Sequence, residues 1–344
     1  MEQYSFLDDY SEGCHPEILR ALEHTNLTQS AAYGYDIYSD AARALIREQM
    51  KAPLAEIFFV TGGTLANLIM ISSALRPHEA VIAARSGHIA RRETGAIEAT
   101  GHKVITVDTP EGKLTPEHIT KTLIDNTHGV HMAKPRMVYI SDATETGLIY
   151  TKTELAALSN LCKSENLLLF IDGARLGAAL SAAQNELTLA DIATLSDMFW
   201  IGGTKAGALF GEAIIIPNPA LATDLGFQIK QKGALLAKGR VLGLQFKTLF
   251  EDGLYFRASK RANDFAAKLS TAFTNAGFEL ANPTQTNQLF PILPDTLIAH
   301  LKKRFGFYIW EKRENKRSVI RMVTSWATHS DQVDTFIEHL NRRS

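Results

Sequence analysis

Lys205 and Asp172 are the residues whose types and spacing point most directly to chemistry. Lys205 lies in the glycine-rich segment 202–207, directly after an apolar run, and Asp172 follows five consecutive apolar residues. A lysine amine forms an imine with an aldehyde, and a carboxylate keeps a pyridine nitrogen protonated. Together they predict a pyridoxal 5'-phosphate site, with Lys205 as the attachment point and Asp172 on the ring nitrogen.

Each of these two residues also has a simpler interpretation. A buried carboxylate is costly without a cationic partner, and a pyridinium ring would be that partner for Asp172. The alternative is that Asp172 pairs with Arg175 or caps the next helix. The segment around Lys205 carries no acid, so a cationic or apolar site would lower the lysine pKa toward the reactive neutral amine. The alternative there is an ordinary solvated lysine.

A second motif, Thr61-Gly62-Gly63-Thr64, follows the strand-like run 57–60 and opens a helix. A helix N-terminus presents free N–H groups and a positive dipole end to a phosphate. Gly62 and Gly63 permit close approach, and the Thr64 hydroxyl adds a donor. The motif lacks the features of NTP and dinucleotide loops, which favours a monophosphate; the alternative is a plain strand-to-helix turn.

Three further side chains have types that suit such a site. His88 comes just after a strand-like run, where an imidazole stacks on a flat cofactor or moves a substrate proton. Arg175 and Arg321 offer planar forks for a carboxylate, and Arg321 lies late in the chain, which fits a clamp between two domains. The alternatives are a surface histidine and structural ion pairs.

Composition bounds the class of protein. The chain has 344 residues and 37.9 kDa, which favours one large and one smaller domain. Its 36 Lys and Arg against 37 Asp and Glu give a net charge of -1, with no reason to expect nucleic acid or anionic lipid as partners. The acidic N-terminus is unlike a signal peptide, and no run reaches the roughly 18 apolar residues of a membrane span. Two cysteines and no metal-ligand spacing complete the expectation of a cytoplasmic protein without a metal site.

Apolar runs separated by helical segments predict a mostly parallel sheet covered on both faces. Ligands of such sheets bind at the carboxyl ends of the strands, where Gly62, His88, Asp172 and Lys205 all fall. From about residue 254 the chain reads as a helix-rich segment, strands at 288–292 and 319–323, and a final amphipathic helix. The predicted division is an N-terminal segment, 1–30, that joins the small domain, a large domain, 31–250, and a small C-terminal domain, 251–344.

Taken in order, these motifs resemble the low-specificity threonine aldolase family of pyridoxal-phosphate enzymes, in the β-eliminating lyase branch. The similarity covers nearly the whole chain: it begins at residues 9–18, continues through Tyr33-Gly34-Tyr35-Asp36, and ends at residues 321–328. The Asp-Gly-Ala-Arg block at 172–175 and the Gly-Gly-Thr-Lys block at 202–205 carry most of its specificity. The resemblance implies an α/β, aspartate-aminotransferase-like fold (fold type I), with a mostly parallel seven-stranded sheet in the large domain and a smaller α/β C-terminal domain.

The resemblance also implies roles for individual residues. In the family pattern Lys205 binds the cofactor, Asp172 contacts its ring nitrogen and His88 stacks on the ring. The other implied residues bind the phosphate (Gly62, Gly63, Thr64), the substrate carboxylate (Arg175, Arg321), or the rest of the substrate (His131, Asp8, Tyr33). The sequence departs from the pattern at Asp8, where relatives often carry a neutral residue, and at Thr144-Glu145-Thr146, which replaces Thr-His-Asn.

The implied reaction is retro-aldol cleavage of a threonine-like β-hydroxy-α-amino acid to glycine and an aldehyde, with His88 or His131 removing the hydroxyl proton. The family also implies a homotetramer, a dimer of dimers with shared active sites, to which Lys232 or Lys238 contributes from a neighbour. Two alternatives stay open. One is another reaction on the same scaffold, transamination or β-elimination; the other is a catalytically silent, ligand-binding α/β protein.

Overall fold

The computed structural model describes residues 3–341; residues 1–2 and 342–344, at the outer ends of the predicted first and last segments, lie outside this range. Its strands are β1 (Tyr4–Ser5), β2 (Glu56–Val60), β3 (Glu79–Ala84), β4 (Lys103–Val107), β5 (Lys134–Ser141), β6 (Leu168–Asp172), β7 (Met198–Gly202), β8 (Glu212–Ile216), β9 (Gln288–Leu289), β10 (Ile292–Pro294), β11 (Phe305–Gly306), β12 (Tyr308–Arg313) and β13 (Arg317–Val323).

The α-helices fill the connections between these strands. They are α1 (Pro16–Thr25), α2 (Ile37–Met50), α3 (Gly63–Ala74), α4 (His88–Arg91), α5 (Pro116–Asp125), α6 (Lys152–Ser164), α7 (Leu176–Leu180), α8 (Leu189–Leu195), α9 (Leu225–Gln231), α10 (Arg240–Glu251), α11 (Leu254–Asn275), α12 (Asp295–Leu301) and α13 (Ser330–Asn341). None of the helices in residues 3–341 combines the length and the apolar content needed to cross a membrane.

A seven-stranded sheet with the order β2-β8-β7-β6-β5-β3-β4 forms the centre of the molecule. Neighbours from β7 to β4 are parallel, while β8 is antiparallel to both β7 and β2. Side chains alternate between two apolar clusters, with Val138 and Ile140 in one and Met137 and Tyr139 in the other. Both faces are therefore covered by helices, and the predicted mostly parallel α/β sheet is confirmed.

The direction of β8 decides which residues meet at one edge of the sheet. Because β2, β3, β5, β6 and β7 run the same way, their carboxyl ends lie together at that edge. The antiparallel β8 brings its first residue to the same edge, where Glu212 lies between Val60 of β2 and Gly202 of β7. The residues of the candidate site lie at this edge.

A second, smaller sheet follows α11. It has the order β10-β13-β12, with β9 also paired to β13, and an apolar cluster including Phe273 and Phe336 packs its helices against it. The N-terminal strand β1 pairs in parallel with β11, and Phe6 is buried in the same cluster. Residues 4–6 therefore lie with this region, whereas α1 packs against α10 and the large-sheet cluster that includes Ile18; the division of the chain into an N-terminal segment, 1–30, and two domains stays a prediction.

The expected strand at residues 288–292 is interrupted. The chain forms β9, is irregular at Phe290-Pro291 and resumes as β10, while the Pro291 carbonyl still accepts the Ile320 N–H of β13 at 3.0 Å. Proline lacks the N–H that a ladder hydrogen bond needs, which explains the break. The strand β12 was not predicted. All six of its residues are exposed, so neither face is buried and the apolar–polar alternation of a half-buried strand is not required.

Candidate active site

The backbone holds Lys205 in a short 3-10 turn, Thr204–Ala206, directly after β7. Gly203 must be glycine, since an added Cβ would lie 2.7 Å from the carbonyl oxygen of Gly211. Burial lowers the pKa of Lys205 and the Arg175 charge lowers it further, while nearby carboxylates oppose both effects. The neutral, nucleophilic amine is therefore more populated than in a solvated lysine.

The expectation that Lys205 has no carboxylate nearby was wrong. The sequence around the lysine lacks acids, but the fold brings three carboxylates close enough to affect its charge: Asp9, Asp172 and Glu212. They come from the N-terminal segment, the end of β6 and the start of β8. Asp172 was already expected at this site from the sequence, whereas Asp9 and Glu212 were not singled out there.

Asp172 is the last residue of β6 and is buried. Its Oδ1 accepts the Ala174 N–H at 3.0 Å, and its Oδ2 accepts hydrogen bonds from the Asn67 amide at 3.0 Å and from the Tyr139 hydroxyl. Within residues 3–341, the ion pair of Arg175 is with Asp9 rather than with Asp172. The Asp172 carboxylate is thus held by neutral donors, which leaves its charge to be matched by a cationic ligand.

A network of polar side chains joins Asp172 to His88. Asn67 donates to Glu93 Oε1 at 2.7 Å as well as to Asp172, and the Trp200 indole donates to Asn67 Oδ1 at 2.9 Å. His88 Nδ1 lies 2.7 Å from the same Glu93 oxygen. The carboxylate favours the tautomer with hydrogen on Nδ1, which leaves Nε2 as a free acceptor. With its side chain 39% exposed, His88 can meet a ligand and accept a proton.

The motif 61–64 forms the predicted strand-to-helix turn at the same edge. Gly62 precedes α3, and among residues 3–341 no side chain caps this helix, so its first N–H groups are free for an anion. An added Cβ on Gly63 would lie 2.7 Å from Cη2 of Trp200, so the close packing of helix on strand requires glycine there. Thr64 is exposed beside the turn, with its hydroxyl available.

Arg175 forms a bidentate ion pair with Asp9, with Nε and Nη2 at 2.8 and 2.9 Å from the two carboxylate oxygens. Asn287 donates to the same carboxylate at 2.8 Å. Burial raises the pKa of Asp9, but Arg175 and then Lys205 outweigh it, so the pKa lies below its usual 3.8. Asp9 was overlooked in the sequence, where only its neighbour Asp8 was singled out.

Arg321, in β13, has a different environment. Its Nε and Nη2 lie 3.1 and 2.8 Å from Oε1 of Gln288, a neutral partner. Burial, and then the Arg175 charge, lower its pKa to about 10, so it remains cationic at neutral pH. Asp8 accepts a hydrogen bond from the Tyr308 hydroxyl at 3.2 Å and lies near enough to Arg321 to influence its charge.

Tyr10 lies at the mouth of the site. The amine of Lys205 is 5.9 Å from the centre of its ring. Burial, followed by the Asp8 charge, raises the pKa of Tyr10 to about 12, so its hydroxyl remains a donor across the physiological range. The ring therefore covers one side of the lysine without introducing a charge.

Two of the predicted residues do not join this group within one chain. His131 lies in a turn, Gly129–His131, before the first residue of β5, whereas Asp172 is beside the last, Ser141. His131 therefore lies at the opposite edge of the sheet, with its ring 5.2 Å from that of His128. The ring centre of Tyr33 lies 4.6 Å from Nζ of Lys230, and Tyr33 lines a cavity of about 670 Å³ whose lining includes neither Lys205, Asp172 nor His88.

The remaining predicted contributors lie near that cavity or elsewhere on the surface. Lys232 donates to Gln228 at 3.0 Å, and Lys238 is exposed. In the position of the family histidine, Glu145 is half-buried and accepts hydrogen bonds from the His88 N–H at 2.9 Å and the Ser141 hydroxyl at 2.7 Å. Burial raises the pKa of Glu145, partly offset by the Ser141 hydrogen bond. This glutamate therefore supports the turn that carries His88.

The donor set fits pyridoxal 5'-phosphate. The free end of α3 suits the phosphate, buried Asp172 suits the ring nitrogen, and the Lys205 amine, with its lowered pKa, suits the aldehyde. Across residues 3–341 there is no group of three or more His, Cys, Asp or Glu side chains that could hold a metal ion.

Comparison with known proteins identifies relatives over almost the whole chain. The model of the β-eliminating lyase family matches residues 8–295. The low specificity L-threonine aldolase of Pseudomonas sp. (strain NCIMB 10558) is 35% identical over 334 residues, which cover 95% of this chain and 93% of that protein.

Solved structures give the same result. The threonine aldolase of Leishmania major is 50% identical with a TM-score of 0.97, over 98% of this chain and 99% of the other. An aspartate aminotransferase from Thermus thermophilus has a TM-score of 0.72 at 16% identity, over 99% and 91%, which shows the shared fold. The predicted fold type I architecture is thus confirmed, and the chain belongs to the β-eliminating lyase family, among its threonine aldolases.

Proposed function

We propose that this protein is a pyridoxal-phosphate-dependent, low-specificity L-threonine aldolase that cleaves threonine-like β-hydroxy-α-amino acids to glycine and an aldehyde. L-allo-threonine and phenylserine are included among its substrates. One observation carries the proposal: a half-buried lysine with a lowered pKa and a buried aspartate lie at one edge of the sheet, beside a free helix N-terminus. When bound, the cofactor supplies an electron sink for the bond that breaks at Cα.

The two arginines divide the work of binding the substrate carboxylate. The charge of Arg175 is balanced by Asp9, so Arg175 mainly orients the substrate carboxylate. Arg321 faces the neutral Gln288 and contributes a net positive charge. A carboxylate held from two sides fixes the torsion about Cα, which decides which of its bonds is broken. Asp8 is proposed to touch the substrate from the mouth of the site.

His88 is proposed as the base that removes the β-hydroxyl proton. Its Nδ1 is occupied by Glu93 at 2.7 Å, and Nε2 is the nitrogen left to accept a proton. His131 lies at the other edge of the sheet in its own chain. Any contribution of His131 to the reaction therefore requires a neighbouring subunit.

We also propose a homotetramer, a dimer of dimers with shared active sites, because the family resemblance implies it and an exposed apolar surface supports it. Large apolar side chains are exposed around the cavity that contains Tyr33, among them Tyr35 and Phe227. An exposed patch of this kind is typical of a subunit interface. Tyr33 and either Lys232 or Lys238 would then serve a neighbour's site.

We place the protein in the cytoplasm, where its free cysteines Cys14 and Cys162 would stay reduced.

The test is an assay of the purified protein, loaded with the cofactor, on threonine, allo-threonine and phenylserine. We expect glycine and the matching aldehyde in equal amounts. Lys205→Ala should abolish both the product and the absorbance of the lysine-linked cofactor, because the attachment point is gone. Lys260→Ala, which removes a surface lysine paired with Asp264, is the matched control and should behave as the wild type.

Other outcomes would contradict the proposal. A keto acid in place of glycine would indicate β-elimination, or transamination if a keto-acid acceptor is required. A protein that stays colourless with the cofactor would indicate a silent ligand-binding protein. An unchanged spectrum in Lys205→Ala would exclude this lysine as the attachment point.

A further inference from the structure

Glu212 is a buried carboxylate to which the proposed reaction assigns no role. It is the first residue of β8 and lies between Val60 and Gly202 in the sheet. It is only 5% exposed, at the edge where the carboxyl ends of the parallel strands meet. An ionisable side chain at such a position is costly to bury unless it is paired.

Both oxygens of Glu212 bind the turn that carries Lys205. Oε2 accepts the Gly203 N–H at 2.9 Å, and Oε1 accepts the Thr204 hydroxyl at 2.9 Å. The Thr204 oxygen in turn accepts the Gly211 N–H at 3.0 Å, which closes the turn onto the start of β8. The carboxylate therefore fastens the two residues that precede Lys205.

Two charged groups and one neutral hydroxyl face Glu212. Lys205 lies on the turn in front of it, Asp172 lies at the end of β6, and the Tyr255 hydroxyl is near on α11. Burial raises the pKa of Glu212 to about 7, while the Thr204 hydrogen bond and the Lys205 charge lower it. Lys205 itself also faces Arg175, which disfavours its charge, and Asp9, which favours it.

We propose that Glu212 is a positioning residue, whose carboxylate fixes the Lys205 turn and whose negative charge favours the protonated form of the Lys205 nitrogen. This inference rests on the proposed function, in which that nitrogen binds the cofactor and is released again. A neutral side chain could accept the same two hydrogen bonds. The negative charge is what distinguishes this role from that of a structural acceptor, because it offsets the repulsion from Arg175.

The experiment measures the protonation of the Lys205 nitrogen in wild type and Glu212→Gln. In the cofactor-loaded protein, the absorbance of the lysine-linked cofactor is titrated with pH. In the cofactor-free protein, Lys205 is labelled with a small aldehyde and borohydride across the same range, and the site is read by mass spectrometry. Glutamine keeps an acceptor of similar size but removes the charge.

We expect both midpoints to fall by about one pH unit in Glu212→Gln, because an opposite charge at close range favours the protonated nitrogen. Below pH 7, where Glu212 itself takes up a proton, the two proteins should converge. Glu79→Gln is the matched control: Glu79 is buried at the first residue of β3, at the opposite edge, and accepts the Arg76 N–H at 2.8 Å. It should leave both midpoints unchanged.

Midpoints of Glu212→Gln that equal those of the wild type would overturn the inference. If Glu212→Gln fails to fold, Thr204→Val tests the inference instead. Loss of the Thr204 hydroxyl removes a donor that stabilises the Glu212 carboxylate, so both midpoints should move in the same direction by a smaller amount. A wild type that binds no cofactor would overturn the proposed function instead. The labelling of the cofactor-free protein would still test the effect of Glu212 on Lys205.

Discussion

At the scale of single residues, the site is a set of buried charges with assigned partners. Asp9 is matched by Arg175, Glu93 is placed against His88, and Glu212 is bound by the turn before Lys205. A buried charge without a partner costs several kcal/mol. Removing one member of such a pair should therefore have a larger effect than removing a neighbouring exposed charge.

The adjacent acids Asp9 and Asp8 allow a direct comparison. Asp9→Asn should destabilise the protein by about 3 kcal/mol, because the largely buried Arg175 is left without its counter-charge. Asp8→Asn should cost less than about 0.5 kcal/mol, since its carboxylate accepts from tyrosine hydroxyls at the mouth of the site. The measurement is urea unfolding at neutral pH. Equal effects of the two changes would contradict this assignment.

The ion pair between Asp9 and Arg175 makes the stability of the folded protein depend on pH. Because the pKa of Asp9 is lowered in the folded protein, its stabilising contribution is complete above 3.8 and is lost as the pH falls through the folded value. The loss of stability in strongly acidic solution should therefore be shallower in Asp9→Asn than in the wild type.

Glu93 offers a test of how His88 works. Glu93→Ala should lower kcat roughly 10- to 100-fold with little change in KM, because the imidazole is no longer held in the tautomer that leaves Nε2 free. Glu98→Ala, an exposed acid five residues on, is the control. Steady-state kinetics with threonine decide the matter, and a KM effect alone would assign Glu93 to substrate binding.

At the scale of elements, the site depends on where strands end and helices begin. The carboxyl ends of β2, β3, β6 and β7 supply the turns that carry Gly62, His88, Asp172 and Lys205. The helix α3 packs so tightly on β7 that Gly63 touches the Trp200 ring. Phosphate binding should therefore be sensitive to the distance between this helix and the sheet.

Gly63→Ala should weaken binding of pyridoxal 5'-phosphate at least roughly 10-fold, which corresponds to about 1.4 kcal/mol. The reason is that the new Cβ, 2.7 Å from Trp200, would push the N-terminus of α3 away from β7. Gly62→Ala should have the smaller effect, since its backbone is extended and its Cβ would meet no atom within 4 Å. Titration of the cofactor-free protein by absorbance measures both. The reverse order would contradict this account of the turn.

At the scale of the whole molecule, the site lies where distant parts of the chain meet. Asp9 comes from the N-terminal segment, Arg175 follows the large sheet, and Asn287, Gln288 and Arg321 come from the second sheet. Of the two arginines that would bind the substrate carboxylate, Arg175 therefore follows a strand of the large sheet and Arg321 lies within the small one. Their separation depends on how the two sheets pack, so under the proposed function the small sheet would take a direct part in substrate binding.

The proposed assembly is also a property of the whole molecule. Phe227→Glu should shift the protein from a tetramer to smaller species, because a charge would replace an apolar ring that is 76% exposed in the single chain. Size-exclusion chromatography with light scattering measures the mass. Phe256→Leu, a partly buried side chain packed against the core, is the control for loss of folding. A variant that keeps the wild-type mass would remove Phe227 from the proposed interface.

Much of the fold and part of the site could be predicted from local sequence. The apolar strands, the turn 61–64 and the acid at the end of β6 each have a signal within a few residues, because a short segment decides its own burial and backbone. The strand β12 and the break at Pro291 were missed or misplaced. β12 has no buried face and so no alternation to reveal it, whereas the interruption at Pro291 had a signal in the proline itself that was not used.

The sequence by itself determined the class of the site: a lysine in a small-residue turn and an acid after a buried strand require only neighbours in the chain. Only the tertiary structure decided the partners of these residues. The reversed direction of β8 brings Glu212 to Lys205, and packing of the N-terminal segment brings Asp9 to Arg175. The tertiary structure also placed His131 at the opposite edge of the sheet from Lys205. Charge interactions act through space, and the distance between two side chains in space is set by strand order and direction rather than by their separation in sequence.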